Sequence, residues 1–451
     1  MPKDLENRAI SLDDDVTALP HSMSTSPNTA TTSPTTLTPI TDPWPKKGVD
    51  AVDPTVYHED YYHGLLPRED VEEMLKENGD FLLRLSEPEH DRLLILSAMR
   101  IKEKGPKGIV HFAIAKTDCG FMLDENDPYP TIPEMIKDFM TKKKSISEKF
   151  TLILTTPKKR QPWEHKHSDV IPGKRIGEGQ YGEVLEGRLI KNGKIITVAI
   201  KVTKFENVAK EQIKEIMMEA RIMRALHHPH VVRFYGVGAL QEPLLVIMEL
   251  VDEGALDKIL HKKTLDIATK TKYCLHASWG IAYLHAQKLL HRDIASRNCL
   301  IGGKKLKLSD FGMSRKARMF RLDRKKKIPL RWAAPEALKT GWYNKECDVY
   351  SWGVLCWEIF VDGMEPYGDI PPYEIGKKIK NGEQLVFPSV APTFLVRLII
   401  QKVWCSPEHR YMQQEISTQL EKYLQVTPPS LPNSDDGAGT PRSKPPKKKK
   451  H

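Results

Sequence analysis

Three polar side chains that suit phosphoryl transfer lie close together in residues 291–300. Asp293 offers a carboxylate that can accept a hydroxyl proton, and Asn298 offers an amide oxygen for a metal ion. Arg297 adds a cation that can help to hold a substrate and a transferring phosphate. A polar surface loop between two apolar runs is the alternative interpretation, so the neighbouring motifs must decide between the two.

A glycine-rich stretch upstream predicts a lid over nucleotide phosphates. Two apolar runs follow it, joined through Asn192 and Gly193, which indicates a β-hairpin rather than the helix of a dinucleotide-binding fold. Glycines on a hairpin let the backbone approach phosphates closely. The predicted lid consists of Ile176, Gly177, Glu178, Gly179, Gln180, Tyr181, Gly182, Glu183 and Val184.

Lys201 and Glu219 form a predicted ion pair. Lys201 ends an apolar strand, where a solvated lysine is the alternative interpretation. Glu219 falls between Ile216 and Met223 on the apolar face of a predicted helix, where a carboxylate needs a cation. We therefore expect Lys201 to contact both Glu219 and the nucleotide phosphates.

Two further stretches complete the predicted nucleotide and metal site. Asp310 precedes Phe-Gly at the end of a predicted strand and suits a hard, oxygen-seeking cation such as Mg²⁺ or Mn²⁺, with a plain turn as the alternative. Residues 244–251 predict a buried strand that passes into a hinge. Met248 would stand at the back of the nucleotide pocket, and the backbone near Glu249 and Val251 would meet the adenine.

A separate folded unit is predicted over residues 59–158, with strands between two helices. Its apolar stretch 81–86 is interrupted by Arg84. A charge inside a buried strand costs several kcal/mol unless it is paired, so Arg84 needs an anionic partner. An internal carboxylate and an incoming phosphate, bound through two oxygens at once, are both compatible with this pattern.

The same unit resembles an SH2 domain. The family's opening, phosphate-binding-strand and central-strand motifs are matched by residues 62–68, 79–86 and 111–112. The resemblance implies a central antiparallel sheet flanked by two helices, which docks on phosphotyrosine proteins. It also implies a phosphate pocket formed by Arg68, Arg84, Ser86 and His111.

The order of motifs in the second unit resembles the protein-kinase signature set. It runs from the glycine-rich lid through Lys201 and the central loop to Asp310 and the Ala-Pro-Glu motif that ends at Glu336. The resemblance implies a bilobal α+β fold with a β-rich N-lobe and an α-rich C-lobe. It also implies ATP as the phosphate donor, Asp293 as the catalytic base, and a divalent cation held by Asn298 and Asp310.

Two downstream residues are expected to support this site. Asp348 resembles the buried aspartate that holds the catalytic loop in kinases, and Arg410 resembles the partner of Glu336. Both are therefore expected to be structural rather than catalytic.

Three features favour tyrosine as the phosphorylated residue. Ala295 stands where serine/threonine kinases usually carry a lysine, and Arg297 follows as in tyrosine kinases. Residues 329–332 resemble the platform on which a substrate tyrosine rests, and an SH2 domain lies upstream. The whole resembles the Fes/Fer subfamily of non-receptor tyrosine kinases. Because the chain has no room for the F-BAR region of longer members, it resembles the short, Fer-related form.

The activation segment departs from the family pattern. No tyrosine lies between Asp310 and Glu336, where a phosphotyrosine normally pairs with arginine and orders the loop. The kinase is therefore expected to be competent without that phosphate or to be switched through its SH2 domain. The cationic run that ends at Lys327 indicates attraction of acidic substrates or a solvated loop. A phosphotyrosine-binding scaffold with a silent kinase domain is the rival hypothesis.

Composition sets the remaining expectations. The chain has 451 residues, which is long enough for two or three domains, and its 40% hydrophobic and 28% charged residues are ordinary for a globular protein. Six cysteines without a paired motif, and the lack of an apolar leader, predict reduced thiols in a cytoplasmic protein. The net charge of +10 is partly local and requires no nucleic-acid partner.

The remaining segments are predicted to be linkers or disordered tails. Residues 1–58 are rich in Ser, Thr and Pro, residues 159–169 link the domains, and residues 427–451 form a basic tail after the kinase domain at 170–426. Such a tail is usually solvated, with nuclear import and attraction to anionic lipid at the cell periphery as alternatives. Membrane contact is therefore expected only through partners or through this tail.

Overall fold

The architecture comes from a computed structural model, which describes residues 44, 53–85, 93–101, 108–123, 128–179, 182–203, 210–323 and 327–431. These residues form the expected α+β arrangement of a small sheet with two helices, a β-rich lobe and an α-rich lobe. Among the helices so described, none has the length and apolar character that crossing a membrane requires.

The first unit contains the strands β1 (Asp80–Leu85), β2 (Leu94–Arg100), β3 (Gly108–Thr117), β4 (Gly120–Leu123) and β5 (Thr156–Pro157). They form one sheet in the order β4-β3-β2-β1-β5, antiparallel except where β5 joins β1. The accompanying helices are α1 (Arg68–Met74) and α2 (Ile132–Thr141). Every residue of β1 is buried, so this strand lies at the centre of the unit with both of its faces covered.

The expected disorder of residues 1–58 is wrong for the stretch directly before this unit. Pro54–His58 form a short 3₁₀ helix that buries Val56. The carboxylate of Asp53 accepts a hydrogen bond from the Ile132 amide at 2.9 Å and so joins this stretch to the start of α2. One apolar side chain and one capping carboxylate therefore order a segment whose composition is mostly polar.

Trp44 is a second ordered residue in the segment that was expected to be disordered. Its ring is buried in a cluster with Val170 and Leu189, and its Nε1 donates to the carbonyl oxygen of Val170 at 2.7 Å. A buried indole whose N–H is satisfied is a strong anchor. Residues 1–43 and 45–52 lie outside the described residues.

The β-rich lobe contains β6 (Val170–Gly179), β7 (Gly182–Lys191), β8 (Lys194–Thr203), β9 (Phe234–Gly238), β10 (Leu245–Glu249) and the helix α3 (Lys210–Arg224). The strands form an antiparallel sheet in the order β6-β7-β8-β10-β9. The predicted hairpin is confirmed: β7 and β8 are joined at Asn192 and Gly193, whose φ values of 51° and 72° suit a tight two-residue turn. The buried stripe of α3 is also as predicted, with Ile213, Ile216, Met217, Ala220 and Met223.

The α-rich lobe contains α4 (Leu256–Lys262), α5 (Ile267–Ala286), α6 (Pro335–Thr340), α7 (Lys345–Phe360), α8 (Pro372–Lys380), α9 (Thr393–Lys402) and α10 (Gln413–Leu424). Its short strands are β11 (Gly254–Ala255), β12 (Leu289–Leu290), β13 (Cys299–Gly302), β14 (Lys305–Leu308), β15 (Arg315–Lys316), β16 (Met319–Arg321) and β17 (Trp342–Asn344). They pair as β11-β13-β14, β12-β15 and β16-β17. Helix α7 is buried continuously from its third residue to its end, so the lobe is built around it.

Stacked imidazole rings form part of the core where α5 meets β14. His230 stacks on His276 with 4.3 Å between ring centroids, and His228 stacks on Tyr283 at 4.9 Å. Burial lowers the pKa of His228 and His230 to about 4 and that of His276 to about 3. At neutral pH the three rings are therefore uncharged and pack as aromatic side chains.

These rings predict acid sensitivity. An unfolded histidine titrates near 6.5, whereas these three titrate near 3 to 4 in the folded chain, so below about pH 6.5 the unfolded state binds more protons. The free energy of unfolding should fall as the pH drops from about 6.5 toward 4, by up to about 1.4 kcal/mol per pH unit for each ring. Urea titrations of the wild type and of His276→Gln at several pH values measure this slope. Glutamine cannot titrate there, so the variant should give a flatter slope, and parallel slopes would contradict the assignment.

Candidate active site

The loop that follows β12 is held by one buried carboxylate, that of Asp348 on α7. Its Oδ1 accepts from the Arg292 amide at 2.9 Å and from the Tyr343 hydroxyl at 2.7 Å. Its Oδ2 accepts from the His291 amide at 2.9 Å and from His285 Nε2 at 3.0 Å. Burial alone would raise the pKa of Asp348, but these donors outweigh burial and hold the pKa below its usual range. The carboxylate therefore stays charged and fixes the loop backbone.

A second buried carboxylate, Glu358, holds the other end of the same loop. It accepts from Ser296 Oγ at 2.7 Å, from the Ser296 amide at 3.1 Å, and from Trp332 Nε1 at 2.8 Å. Burial raises the pKa of Glu358. The sequence does not reveal this role, because an isolated glutamate in an apolar helix gives no sign of its distant partners.

Asp293 lies between these two supports, with its side chain 16% exposed. Arg297 forms an ion pair with its carboxylate, and the Asn298 side-chain amide donates to its backbone carbonyl at 2.9 Å. The Arg297 guanidinium also stacks over the Trp332 ring, 4.2 Å from the ring centroid. The three side chains singled out in the sequence are thus brought together, with one carboxylate that a hydroxyl group can reach.

The expected ion pair between Lys201 and Glu219 is present. Lys201 Nζ lies 3.0 Å from Glu219 Oε2 and 3.3 Å from Oε1, so β8 and α3 are joined at this point. Burial by itself would lower the pKa of Lys201, but the charges of Glu219 and then Asp310 outweigh it and raise the pKa. The lysine is therefore a permanent cation in a largely buried position, as phosphate binding requires.

Asp310 and Asn298 provide the oxygen atoms that a divalent cation would need. Asp310 is exposed, has a φ of 58°, and accepts from the Gly312 amide at 3.2 Å. A Cβ added at Gly312 would lie 3.3 Å from Asp310 Oδ1, so the glycine leaves space beside this oxygen. No cluster of three or more metal-binding side chains is found in the described part of the chain. Few protein ligands suit Mg²⁺, which takes its other ligands from water and substrate phosphates.

The predicted lid lies on the first two strands of the β-rich lobe. Its ends are close, since Gly179 pairs with Gly182 across β6 and β7. Val184 pairs with Lys201 across β7 and β8, which puts the lid beside the buried cation. Gln180 and Tyr181, at the tip, lie outside the described residues.

The glutamates of the lid make surface contacts instead of facing the nucleotide site. Glu178 and Glu183 both lie near Arg175, with nitrogen-to-oxygen distances of 2.5 Å and 3.7 Å. Ile176, at the start of the lid, is 43% exposed. The carboxylates of Glu178 and Glu183 are therefore engaged with Arg175, and phosphate binding by the lid backbone stays a prediction.

The predicted hinge follows β10. Met248 and Glu249 end this strand, and Val251 is buried. The Glu249 amide donates to the Arg233 carbonyl at 2.8 Å, and its carboxylate contacts Lys307 Nζ at 2.7 Å. The side chain of Glu249 is therefore held by protein groups, so a base in this cleft would meet the hinge backbone.

The proposed phosphate pocket of the first unit centres on Arg84. This residue is 5% exposed, and its Nε donates to Ser97 Oγ at 3.2 Å. Ser97 Oγ also lies 2.9 Å from His111 Nδ1. Burial, followed by the charges of Arg84 and Arg68, lowers the pKa of His111 to about 4. Two of the four predicted residues, Arg84 and His111, thus share the Ser97 hydroxyl group.

Ser97 adds a hydroxyl group to the pocket that the sequence predicted. Ser97 was missed, although a serine within the apolar run of β2 was a visible signal. Ser86, which was expected to line the pocket, lies outside the described residues.

Comparison with known proteins identifies both units. Residues 61–139 match the SH2 domain family, and residues 170–420 match the family of protein tyrosine and serine/threonine kinases. Fer-related kinase 1 of Caenorhabditis elegans is 33% identical over 371 residues, which cover 81% of this chain and 94% of that protein. The chain belongs to the Fes/Fer family of tyrosine kinases. The resemblance found in the sequence is therefore confirmed.

Other relatives of this Fes/Fer kinase are much longer. Tyrosine-protein kinase Fer of Homo sapiens is 34% identical over 369 residues, which cover 80% of this chain and 43% of that protein. The transforming protein Fps of Fujinami sarcoma virus is 36% identical over 356 residues, covering 78% of this chain and 39% of that protein. The chain therefore spans well under half the length of these two relatives.

In this Fes/Fer kinase the SH2 domain packs directly on α3, the helix that carries Glu219. Asp70 on α1 accepts two hydrogen bonds from Arg221, at 3.0 Å from Nε and 2.7 Å from Nη2. Burial, which outweighs the Arg221 hydrogen bonds, raises the pKa of Asp70. A bidentate arginine–carboxylate pair fixes orientation as well as distance. A nearby pair, Glu73 with Arg224, lies at 2.9 Å and is more exposed.

A close backbone approach completes this contact. The Leu65 amide donates to the Ala239 carbonyl at 2.8 Å, and the Tyr62 hydroxyl donates to the Leu240 carbonyl at 3.0 Å. Gly64, at a φ of 59°, makes the approach possible, since a Cβ there would lie 2.2 Å from the Ala239 oxygen. The SH2 domain and the N-lobe therefore share one apolar core around α3.

Breaking the Asp70–Arg221 pair should loosen α3. In Asp70→Ala we expect faster amide hydrogen exchange across residues 210–224 and a several-fold lower kcat/KM for peptide phosphorylation, because losing one partner of a buried pair costs about 3–5 kcal/mol. The matched control is Glu73→Ala, whose exposed pair contributes about 0–1 kcal/mol. Unchanged exchange and turnover in Asp70→Ala would mean that α3 keeps its position without the SH2 domain.

Proposed function

We propose that this chain transfers the γ-phosphoryl group of ATP to tyrosine hydroxyls of proteins, while its SH2 domain docks on phosphotyrosine proteins. One observation carries the proposal: the Lys201–Glu219 pair is formed while Asp348 and Glu358 hold the two ends of the loop that contains Asp293. Phosphoryl transfer depends mainly on positioning and electrostatic stabilisation. An N-lobe cation and a C-lobe base in place together are what that chemistry needs.

Each residue of the site has a separate role in the proposed reaction. Asp293 accepts the proton of the substrate hydroxyl as the oxygen attacks the γ-phosphorus, and the bond to the ADP oxygen breaks with its electron pair leaving on ADP. Lys201 holds the phosphates, and Arg297 holds the hydroxyl-bearing residue near Asp293. Asn298 and Asp310 would hold Mg²⁺ or Mn²⁺, which neutralises charge on the phosphates when bound. The lid backbone and the hinge at Met248, Glu249 and Val251 would hold the nucleotide.

Tyrosine specificity is supported by the contacts of Arg297. Its guanidinium lies between Asp293 and the Trp332 ring. Ala295, fully buried, leaves no lysine in the loop to hold a short hydroxyl side chain. This arrangement leaves room for a long side chain whose hydroxyl lies far from its own backbone, as in tyrosine.

The first experiment is phosphate transfer by purified protein from Mg-ATP to a mixed Glu/Tyr polymer. We expect tyrosine phosphorylation that falls by several orders of magnitude in Asp293→Asn, which keeps the side-chain shape but removes the base. A matched control is Asp369→Asn, an exposed aspartate of the same lobe. Transfer to serine instead of tyrosine would contradict the specificity.

The rival function is a phosphotyrosine-binding scaffold. It would be favoured by a wild type that transfers no phosphate yet still binds phosphotyrosine peptides. Arg84→Ala separates the two activities, because it should abolish peptide binding while leaving the catalytic residues intact. The favoured function requires both activities in one chain.

Acidic substrates are a finer part of the proposal. Lys316, Arg318, Arg321 and Lys327 are exposed cations on the activation segment. Cations beside a cleft raise the local concentration of anionic peptides, and salt weakens the effect.

We also propose a cytoplasmic location, with contact to membranes only through partners or the basic tail.

Charge steering predicts a selective loss. Replacing Lys325, Lys326 and Lys327 by alanine should lower kcat/KM for an acidic peptide about two- to tenfold at low salt and leave a neutral peptide unchanged. The matched control replaces Lys142, Lys143 and Lys144 by alanine. These lysines directly follow α2 in the SH2 domain, and their replacement removes the same number of positive charges. Equal losses on both peptides would contradict steering.

A further inference from the structure

Arg292 links the catalytic loop to the activation segment. Its backbone is strained at a φ of 71° and is held by the Asp348 carboxylate. Its side chain is buried, and Nη1 donates to the Met313 carbonyl at 2.7 Å. The residue directly precedes Asp293, so the Arg292 side chain and the Asp293 carboxylate are attached to one short stretch of backbone.

The Arg292 guanidinium also lies over aromatic rings. Its central carbon lies 4.0 Å from the centroid of the Phe320 ring and 5.8 Å from that of Tyr343. Its Nε is buried without a hydrogen-bond partner among the residues that the structure describes. An aromatic face can stabilise a cation whose side chain is buried in this way.

Phe320 is held in place from both sides. It lies in β16, where it pairs with Tyr343 of β17, and the next residues continue this contact through the Leu322 amide, which donates to the Gly341 carbonyl at 2.8 Å. A second guanidinium, that of Arg315, lies 5.8 Å from the same ring. Two arginines of the activation segment and the catalytic loop therefore converge on one benzene ring.

Two converging guanidinium groups normally mark an anion site. In kinases that phosphorylation activates, a phosphorylated side chain pairs with arginine and orders the activation loop. Here no tyrosine lies between Asp310 and Glu336, so that phosphate cannot form on a tyrosine of this segment. The neutral ring of Phe320 lies near both cations instead, and it needs no modification to be there.

We propose that Phe320 is a positioning residue that replaces the activating phosphate: its ring holds Arg292, and through Arg292 it holds the activation segment against the catalytic loop. The kinase then works without phosphate on this segment. This inference rests on the proposed tyrosine kinase activity. If Phe320 acts in this way, position 320 requires an aromatic face, and an apolar side chain of similar volume is not sufficient.

The test uses three substitutions at this position in the full chain. Phe320→Tyr keeps the aromatic face, Phe320→Leu keeps apolar volume without it, and Phe320→Ala removes both. Met319→Ala, on the exposed neighbour, is the matched control. All proteins are treated with phosphatase, checked by mass spectrometry for absence of phosphate, and assayed for kcat and KM on a tyrosine peptide.

We expect activity in the order wild type and Phe320→Tyr, then Phe320→Leu, then Phe320→Ala. The fall from wild type to Phe320→Leu should be roughly two- to thirtyfold in kcat/KM, the range of a single cation–π contact. Amide hydrogen exchange across residues 313–323 should become faster as kcat/KM falls. The ATP affinity and the thermal midpoint of Met319→Ala and Phe320→Tyr should stay near those of the wild type.

Three outcomes decide the matter. Phe320→Leu with wild-type turnover would overturn the proposal, because an aromatic face would then be dispensable. Wild type that loses activity after phosphatase treatment would also overturn it, since a phosphate elsewhere would be required. A wild type with no activity under any phosphorylation state would instead contradict the proposed kinase function itself.

Discussion

The buried carboxylate of Asp348 is the interaction on which the catalytic half of the molecule depends. Its four hydrogen bonds reach the backbone of the catalytic loop, the end of α5 and the Tyr343 hydroxyl on β17. A charge this deeply buried persists only when its lone pairs are satisfied. Its donors come from three separate elements, so the loop, the helix and the strand can adopt their positions only together. Arg292, whose amide donates to Asp348, has a φ of 71°, a backbone strain that persists only where the surrounding contacts hold it.

The β-rich half depends on α3 in a comparable way. One face of this helix presents Glu219 to Lys201, and another presents Arg221 to the SH2 domain. The helix is therefore shared by the nucleotide site and the docking module. Because Glu219 and Arg221 are only two residues apart, they project from different faces of the helix. A change on one side thus reaches the other through the helix as a rigid body.

Much of this arrangement could be predicted from the sequence, because residues close together in the chain specify it. Residues 192–193 specify a hairpin by their own turn chemistry, and the period of apolar residues around Glu219 defines which face is buried. Glu358 could not be predicted, because its partners Ser296 and Trp332 lie 62 and 26 residues away. The contact between Phe320 and Arg292 could not be predicted either, since nothing in a basic, irregular segment indicates which arginine an aromatic ring will contact. A contact between two single residues far apart in the sequence produces no periodic pattern from which it could be predicted.

Trp44 has a practical consequence for how the protein is handled. Its indole packs in an apolar cluster with Leu189 and Val170, although it precedes Val170, its hydrogen-bond partner, by 126 residues. A fragment cut at the start of the SH2 domain would still contain both folded domains but would expose the apolar side chains of that cluster to solvent. Exposed apolar area of this kind promotes self-association. Preparations that begin after residue 44 should therefore scatter more light at high concentration than preparations that retain it.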